Sequence, residues 1–252
     1  MTYLNGIDIS NMERGLDIKN IDADFVIIKA TVGVREKDDC FENWVEDAIS
    51  DNKKIGIYHY AIGNVKAEEE ALFFWENVKQ YCGKGIFILN WTGKVVDRGP
   101  SYAKEFLDEF YKISGKHCLI RMDKETIKKY DWEEVKKDYK LWIVDCLNND
   151  PTKYHYVEQN GEYDPWDEAI MRQYSRMGIV KGYPAPLNIN CFYGENENWD
   201  NLLENEKLLK EKKENAIKTI SKTQVITEEK NNIKGKTTKT KKSNQYKKTT
   251  KK

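Results

Sequence analysis

Three short stretches hold the residues whose chemistry matters most. Gly6-Ile7-Asp8-Ile9-Ser10 carries a carboxylate near the end of an apolar run. Gly85-Ile86-Phe87-Ile88-Leu89-Asn90-Trp91-Thr92 ends on an amide and a hydroxyl before the turn signal Gly93, and Leu187-Asn188-Ile189-Asn190 alternates amides with aliphatic residues. A run of large apolar residues with β-branched and aromatic members reads as a buried strand. Asn90 and Thr92 then fall at its C-terminal end, which in α/β barrels is the end where chemistry sits. A strand tip aimed at a cleft would carry acid–base groups. Here Asp8 can ionise, whereas Asn90, Thr92 and Asn188 can only exchange hydrogen bonds. The chain has the outline of an enzyme without its reactive groups. Two other acids, Asp123 and Asp145, are predicted at strand tips and could face the same groove, although an Asp there more often caps a helix or forms a turn. His59 can contact a substrate or serve as a hydrogen-bonded structural residue. His117 and His155 stand alone and suggest no metal site, and with no phosphate loop or nucleophile elbow no cofactor is expected.

These residues need elements to hold them. Apolar runs at 6–10, 25–30, 54–60, 85–89, 119–122, 141–145, 169–174 and 187–190 read as eight strands. Between the earlier ones lie amphipathic segments. Over 41–50, Phe41, Trp44, Val45 and Ala48 recur at helical spacing. A helix over 66–81 opens with Glu68, Glu69 and Glu70, where the helix dipole favours negative charge. A third, over 101–114, aligns Tyr102, Phe106, Phe110 and Ile113 and stops at Gly115. Strands alternating with helices predict βα units around a parallel sheet. The later connections are short, so the expected architecture is a compact, irregular α/β barrel. A short charged helix is expected over 202–213.

Charge divides the chain. From 217 to 252 there are twelve Lys and two Glu, a net of +10, and since the whole chain has 42 basic and 42 acidic residues, positions 1–216 carry about −10. We read residues 1–205 as one folded domain and 206–252 as a Lys/Thr-rich, disordered tail that cannot bury enough apolar surface to fold. Such a tail can touch polyanions including nucleic acid, teichoic acid or anionic lipid; the simpler reading is a solvated extension. The N-terminus shows no secretory signal, and no apolar run approaches the length of about 18 residues that crosses a bilayer. The five cysteines are scattered without a CxxC pair, which suits reduced thiols. The expected protein is a monomer made in the cytoplasm.

Several segments together resemble the glycoside hydrolase family 25 lysozymes, N-acetylmuramidases of the phage endolysin type. They are Gly6-Ile7-Asp8-Ile9-Ser10, Phe25-Val26-Ile27-Ile28-Lys29-Ala30-Thr31, Gly56-Ile57-Tyr58-His59-Tyr60, Gly99-Pro100-Ser101-Tyr102-Ala103, Leu141-Trp142-Ile143, Gln173-Tyr174-Ser175 and Asn188-Ile189-Asn190-Cys191-Phe192-Tyr193-Gly194. No single segment decides the matter; their order and spacing over residues 3–200 do. The resemblance implies an irregular, TIM-like (β/α) barrel that cleaves the β-1,4 bond between N-acetylmuramic acid and N-acetylglucosamine in peptidoglycan. It also implies four acidic positions at the barrel mouth. The first falls on Asp8, which is kept, the next two on Asn90 and Thr92, and the fourth on Asn188. Tyr58, His59, Trp142, Tyr174 and Asn190 are the implied glycan-binding residues. With three acids replaced, the resemblance implies a peptidoglycan binder whose hydrolysis is lost or strongly reduced. The alternatives are an active muramidase with relocated carboxylates, and a non-enzymatic module that binds polyanions through its tail.

Overall fold

The apolar runs form strands because each can bury one set of alternate residues inside a barrel and the other set beneath helices. The computed structural model describes residues 2–146, 150–159 and 161–204. In chain order they form β1 (Leu4–Ile9), β2 (Phe25–Val32), β3 (Glu36–Lys37), α1 (Phe41–Ser50), β4 (Lys54–Tyr60), α2 (Ala67–Val78) and β5 (Gly85–Asn90). These are followed by α3 (Gly99–Ser114), β6 (Leu119–Asp123), α4 (Lys124–Lys129), α5 (Glu133–Lys136), β7 (Leu141–Val144), β8 (Met171–Gly178), β9 (Leu187–Phe192) and α6 (Asn196–Leu203). The hydrogen-bonded order β1-β9-β8-β7-β6-β5-β4-β2, completed by pairing of β1 with β2, closes an eight-stranded barrel. The ninth strand, β3, is a two-residue antiparallel flap on β2. Its residues are both exposed and carry no apolar alternation, so the sequence pattern passes over it.

Seven barrel strands run the same way, whereas β9 is antiparallel to both β8 and β1. This departs from the uniformly parallel sheet that βα alternation predicts. It has a direct consequence for the site. The start of β9 lies at the mouth where its neighbours end, and Asn188 pairs directly with Asp8.

Ile27, Ile88, Leu119, Trp142, Met171 and Phe192 fill the barrel interior. The opposite parity, including Val26, Ile57, Leu89 and Ile143, packs under the helices. Helix α1 buries Phe41, Trp44, Val45 and Ala48, and α2 continues as a 3-10 turn to Tyr81. In α3 a Pro occupies the first turn, and Gly115, at φ 69°, donates its amide to the Tyr111 carbonyl to close the helix. The last helix closes the end opposite the mouth. Its buried Trp199 packs on Phe25, at the start of β2, and on Phe192, at the end of β9, with ring centroids 4.9 and 5.0 Å apart. This helix spans Asn196–Leu203, not 202–213; residues 205–252, on which the rest of that expectation and the tail reading fall, lie outside the described residues. None of the described helices is long and apolar enough to cross a membrane.

Candidate active site

Because strand side chains alternate, the last interior residue of each strand lines the mouth. Asp8 from β1, Tyr58 and Tyr60 from β4, Asn90 from β5, Arg121 and Asp123 from β6, Val144 from β7 and Asn188 from β9 surround one cleft of about 410 Å3, completed by Thr92, Gly93 and Arg176. Gly93 turns the chain away from the β5 tip at φ 76°. A Cβ there would stand 2.9 Å from the Tyr60 hydroxyl, so the turn needs a glycine on both counts.

Asp8 is buried and accepts two amide hydrogen bonds, from Asn188 Nδ2 to Oδ2 at 2.9 Å and from Asn190 Nδ2 to Oδ1 at 2.8 Å. The Asn190 oxygen accepts from the Trp142 indole at 3.1 Å. An indole N–H can only donate, so this contact fixes which end of the Asn190 amide faces Asp8. Asn188 sits where a second carboxylate could approach Asp8 only in protonated form; as an amide it donates with no proton to supply.

On the other side of the mouth, the Asn90 side-chain oxygen Oδ1 accepts from Arg121 Nη1 at 2.6 Å and from the Thr92 hydroxyl at 3.4 Å. Arg121 Nη2 donates to Oε1 of the buried Gln173 side chain on β8, and the guanidinium carbon stacks 4.8 Å above the Trp142 ring. Tyr58 is half-buried. Its phenol is pushed far above its ordinary range, first by burial and then by the charge of Asp8, so it holds its proton and acts through hydrogen bonds.

The four positions Asp8, Asn90, Thr92 and Asn188 therefore meet in one cleft, with Tyr58 on its wall. Of the other residues singled out from sequence, Asp123 alone lines it. Trp142 lies fully buried beneath Arg121, and Asn190 is buried behind Asp8. Tyr174 is buried, its hydroxyl accepting the His155 amide at 3.2 Å. His59 has the opposite parity to Tyr58 and Tyr60 and so points away from the interior. It lies fully buried between the Thr31 hydroxyl, 2.8 Å from Nδ1, and the Glu70 carboxylate, 3.4 Å from Nε2, stacked against Phe106. Asp145 does not line the cleft and is held by Arg172 at 2.7 Å and Lys124 at 2.9 Å. Asp123 does line it, while its Oδ1 accepts the Thr126 amide at 2.8 Å as the N-cap of α4. Arg121 was not singled out from sequence. The signal was available in its parity with Leu119, which places a charge on the interior face of a strand.

The sequence model of the glycosyl hydrolases family 25 matches residues 7–183. This chain belongs to glycosyl hydrolase family 25. An autolytic lysozyme of Clostridium acetobutylicum is 26% identical over 194 residues, 75% of this chain and 56% of that relative, so the chain spans little more than half of its length. Among solved structures, a bacterial lysozyme from Streptomyces coelicolor superposes with a TM-score of 0.69 at 18% identity, covering 81% of this chain and 98% of that one. A family GH25 lysozyme from Aspergillus fumigatus gives 0.63 at 17% identity, with 81% and 100% covered. At these identities the structural likeness concerns the barrel. Within this family-25 barrel, the described carboxylates on the cleft wall are Asp8, wrapped by amides, and Asp123, engaged as a cap.

Proposed function

We propose that this protein binds the glycan strands of bacterial peptidoglycan in the cleft without hydrolysing them at the rate of an enzyme. The observation that carries the reading is the convergence of Asn90, Thr92 and Asn188 on one cleft beside Asp8. Glycosidic cleavage needs a carboxylic acid to protonate the leaving oxygen and negative charge near the oxocarbenium-like transition state. The threonine hydroxyl at position 92 cannot deliver that proton near neutral pH, and general acid catalysis alone is worth about 10²–10⁴-fold. Asn90 and Asn188 keep nearly the shape of carboxylates without their charge, and Arg121 adds a positive charge where a cationic transition state would be destabilised. Membership of a glycosidase family and likeness to lysozymes supply the substrate class.

A second reading, slow hydrolysis through a relocated acid, rests on Asp123 because it reaches the cleft wall. Asp145 gives that reading little support, since its carboxylate is committed to Arg172 and Lys124.

Two measurements test the proposal. Tail-deleted protein is expected to co-sediment with purified cell wall at moderate salt; failure to do so counts against glycan binding. Turbidity of wall suspensions is expected to stay unchanged with the natural protein and to fall with Asn90→Asp/Thr92→Glu/Asn188→Asp. Clearing by the natural protein that vanishes in Asp123→Asn would instead establish the relocated acid.

A further inference from the structure

Arg121 has more donor capacity than its neighbours use. A guanidinium carries five N–H donors. Two of them meet the neutral oxygens of Asn90 and Gln173, and Nε is buried without a hydrogen-bond partner. Among the described residues no carboxylate forms an ion pair with it. A cation held beside a buried strand, stacked on Trp142 and oriented by two amide oxygens, keeps its full charge in fixed geometry. Arg176 on the same wall adds a second, exposed guanidinium. The family pattern would fill this mouth with four acids. Here the charged wall residues are Asp8, Asp123, Arg121 and Arg176, which sum to zero, and both acids are already hydrogen bonded. A cleft that would have repelled anions now presents them with a preorganised fork.

We propose that the cleft is an oxyanion receptor. Arg121, assisted by Arg176, takes a carboxylate or phosphate group carried on the bound polymer, while Tyr58 and Tyr60 face its sugar rings. This deepens the glycan-binding reading above and rests on it. The shared chemistry is a planar or tetrahedral oxyanion, and two sources carry it in a bacterial wall: the lactyl or peptide carboxylate of the glycan, and a polyol-phosphate chain.

Calorimetric titration of the full chain separates the possibilities. The probes are a neutral N-acetylglucosamine tetramer, an N-acetylglucosamine/N-acetylmuramic acid tetrasaccharide with free lactyl carboxylates, and a glycerol-phosphate oligomer. The acidic tetrasaccharide is expected to bind at least about tenfold more tightly than the neutral one, as hydrogen bonds to a charged group would give. Arg121→Gln is expected to erase that preference, and Arg176→Gln, at an exposed site, to reduce it. The second variant keeps the test alive if the first fails to fold, which thermal melting reports. Arg121-dependent binding of the phosphate oligomer in place of the acidic saccharide supports the same receptor with phosphate as the source. Equal affinity for acidic and neutral saccharides, with no Arg121-dependent binding of the phosphate oligomer, overturns the receptor while leaving glycan binding intact. Anion preference that persists in the Arg121→Gln/Arg176→Gln double variant also overturns it, by assigning the preference to lysines elsewhere in the chain. Binding of neither saccharide overturns the glycan reading itself, and the receptor with it.

Discussion

Asp8 and Asn188 show how a single atom exchange alters the chemistry of the mouth. They face each other across the β1–β9 pair, with the amide donating to the carboxylate at 2.9 Å. Asn188→Asp would place two carboxylates at that distance, and such a pair retains one proton between them. Its proton affinity in the folded state then exceeds that in the unfolded chain. The associated stability is present below the ordinary carboxylate range near pH 4 and disappears as pH rises through the raised folded value. We expect the variant to melt close to the natural protein at about pH 4 and to lose about 1–3 kcal/mol relative to it at neutral pH; an equal deficit at both pH values would show that the two groups do not interact. The identities of Asp8, Asn90, Thr92 and Asn188 were legible in the sequence because a family pattern placed them. The partners of Asp8 and Asn90 were not. Asn190 and Arg121 act through cross-strand neighbours, and register between strands far apart in sequence is set by barrel closure.

At the scale of elements, the prediction concerns β2, β4 and α2, which share a buried polar contact behind the cleft. His59 of β4 lies between Thr31 of β2 and Glu70 of α2. Burial pushes the His59 imidazole below its ordinary value of 6.5, outweighing the pull of Glu70. Burial alone would raise Glu70, but the His59 contact, the Ile62 amide at 2.7 Å and the Tyr102 hydroxyl at 2.7 Å hold it below 4.5. Both folded values lie below the unfolded ones, so in each case the unfolded chain binds more protons on acidification and stability falls. The first loss starts as pH drops below about 6.5, and the second follows below the usual Glu range. Thermal melts between about pH 7.5 and pH 5.5 are expected to show the first step, and His59→Gln to flatten it. Matching profiles for the two proteins would exclude His59 as its source. Helical spacing announced α1 and α3 because each buries a clear stripe. It missed α4 and α5, which at 6 and 4 residues are too short for a period to register, and it could not announce the reversed direction of β9, since a strand reads alike in both directions.

At the scale of the whole molecule, charge asymmetry invites a salt-dependent measurement. The body carries about −10 and the last 36 residues, 217–252, about +10 by formal count. Retention of the full chain on wall preparations is expected to weaken steeply with ionic strength, because many lysines release counterions together. The tail-deleted protein is expected to show a shallower dependence and to keep whatever binding the cleft supplies. Identical salt dependence in both would remove the tail as a wall contact.

The antiparallel return of β9 has a further consequence, for the time at which the cleft comes into being. It joins residues 8 and 188, so the barrel cannot close until nearly the entire domain has left the ribosome. Contacts spanning 180 positions are slow to form because the loop-closure entropy must be met before the contact rewards it. A chain halted before β9 lacks Asn188 and Asn190 and leaves Asp8 on an unpaired edge, so the cleft itself appears as a late, all-at-once property of the finished fold.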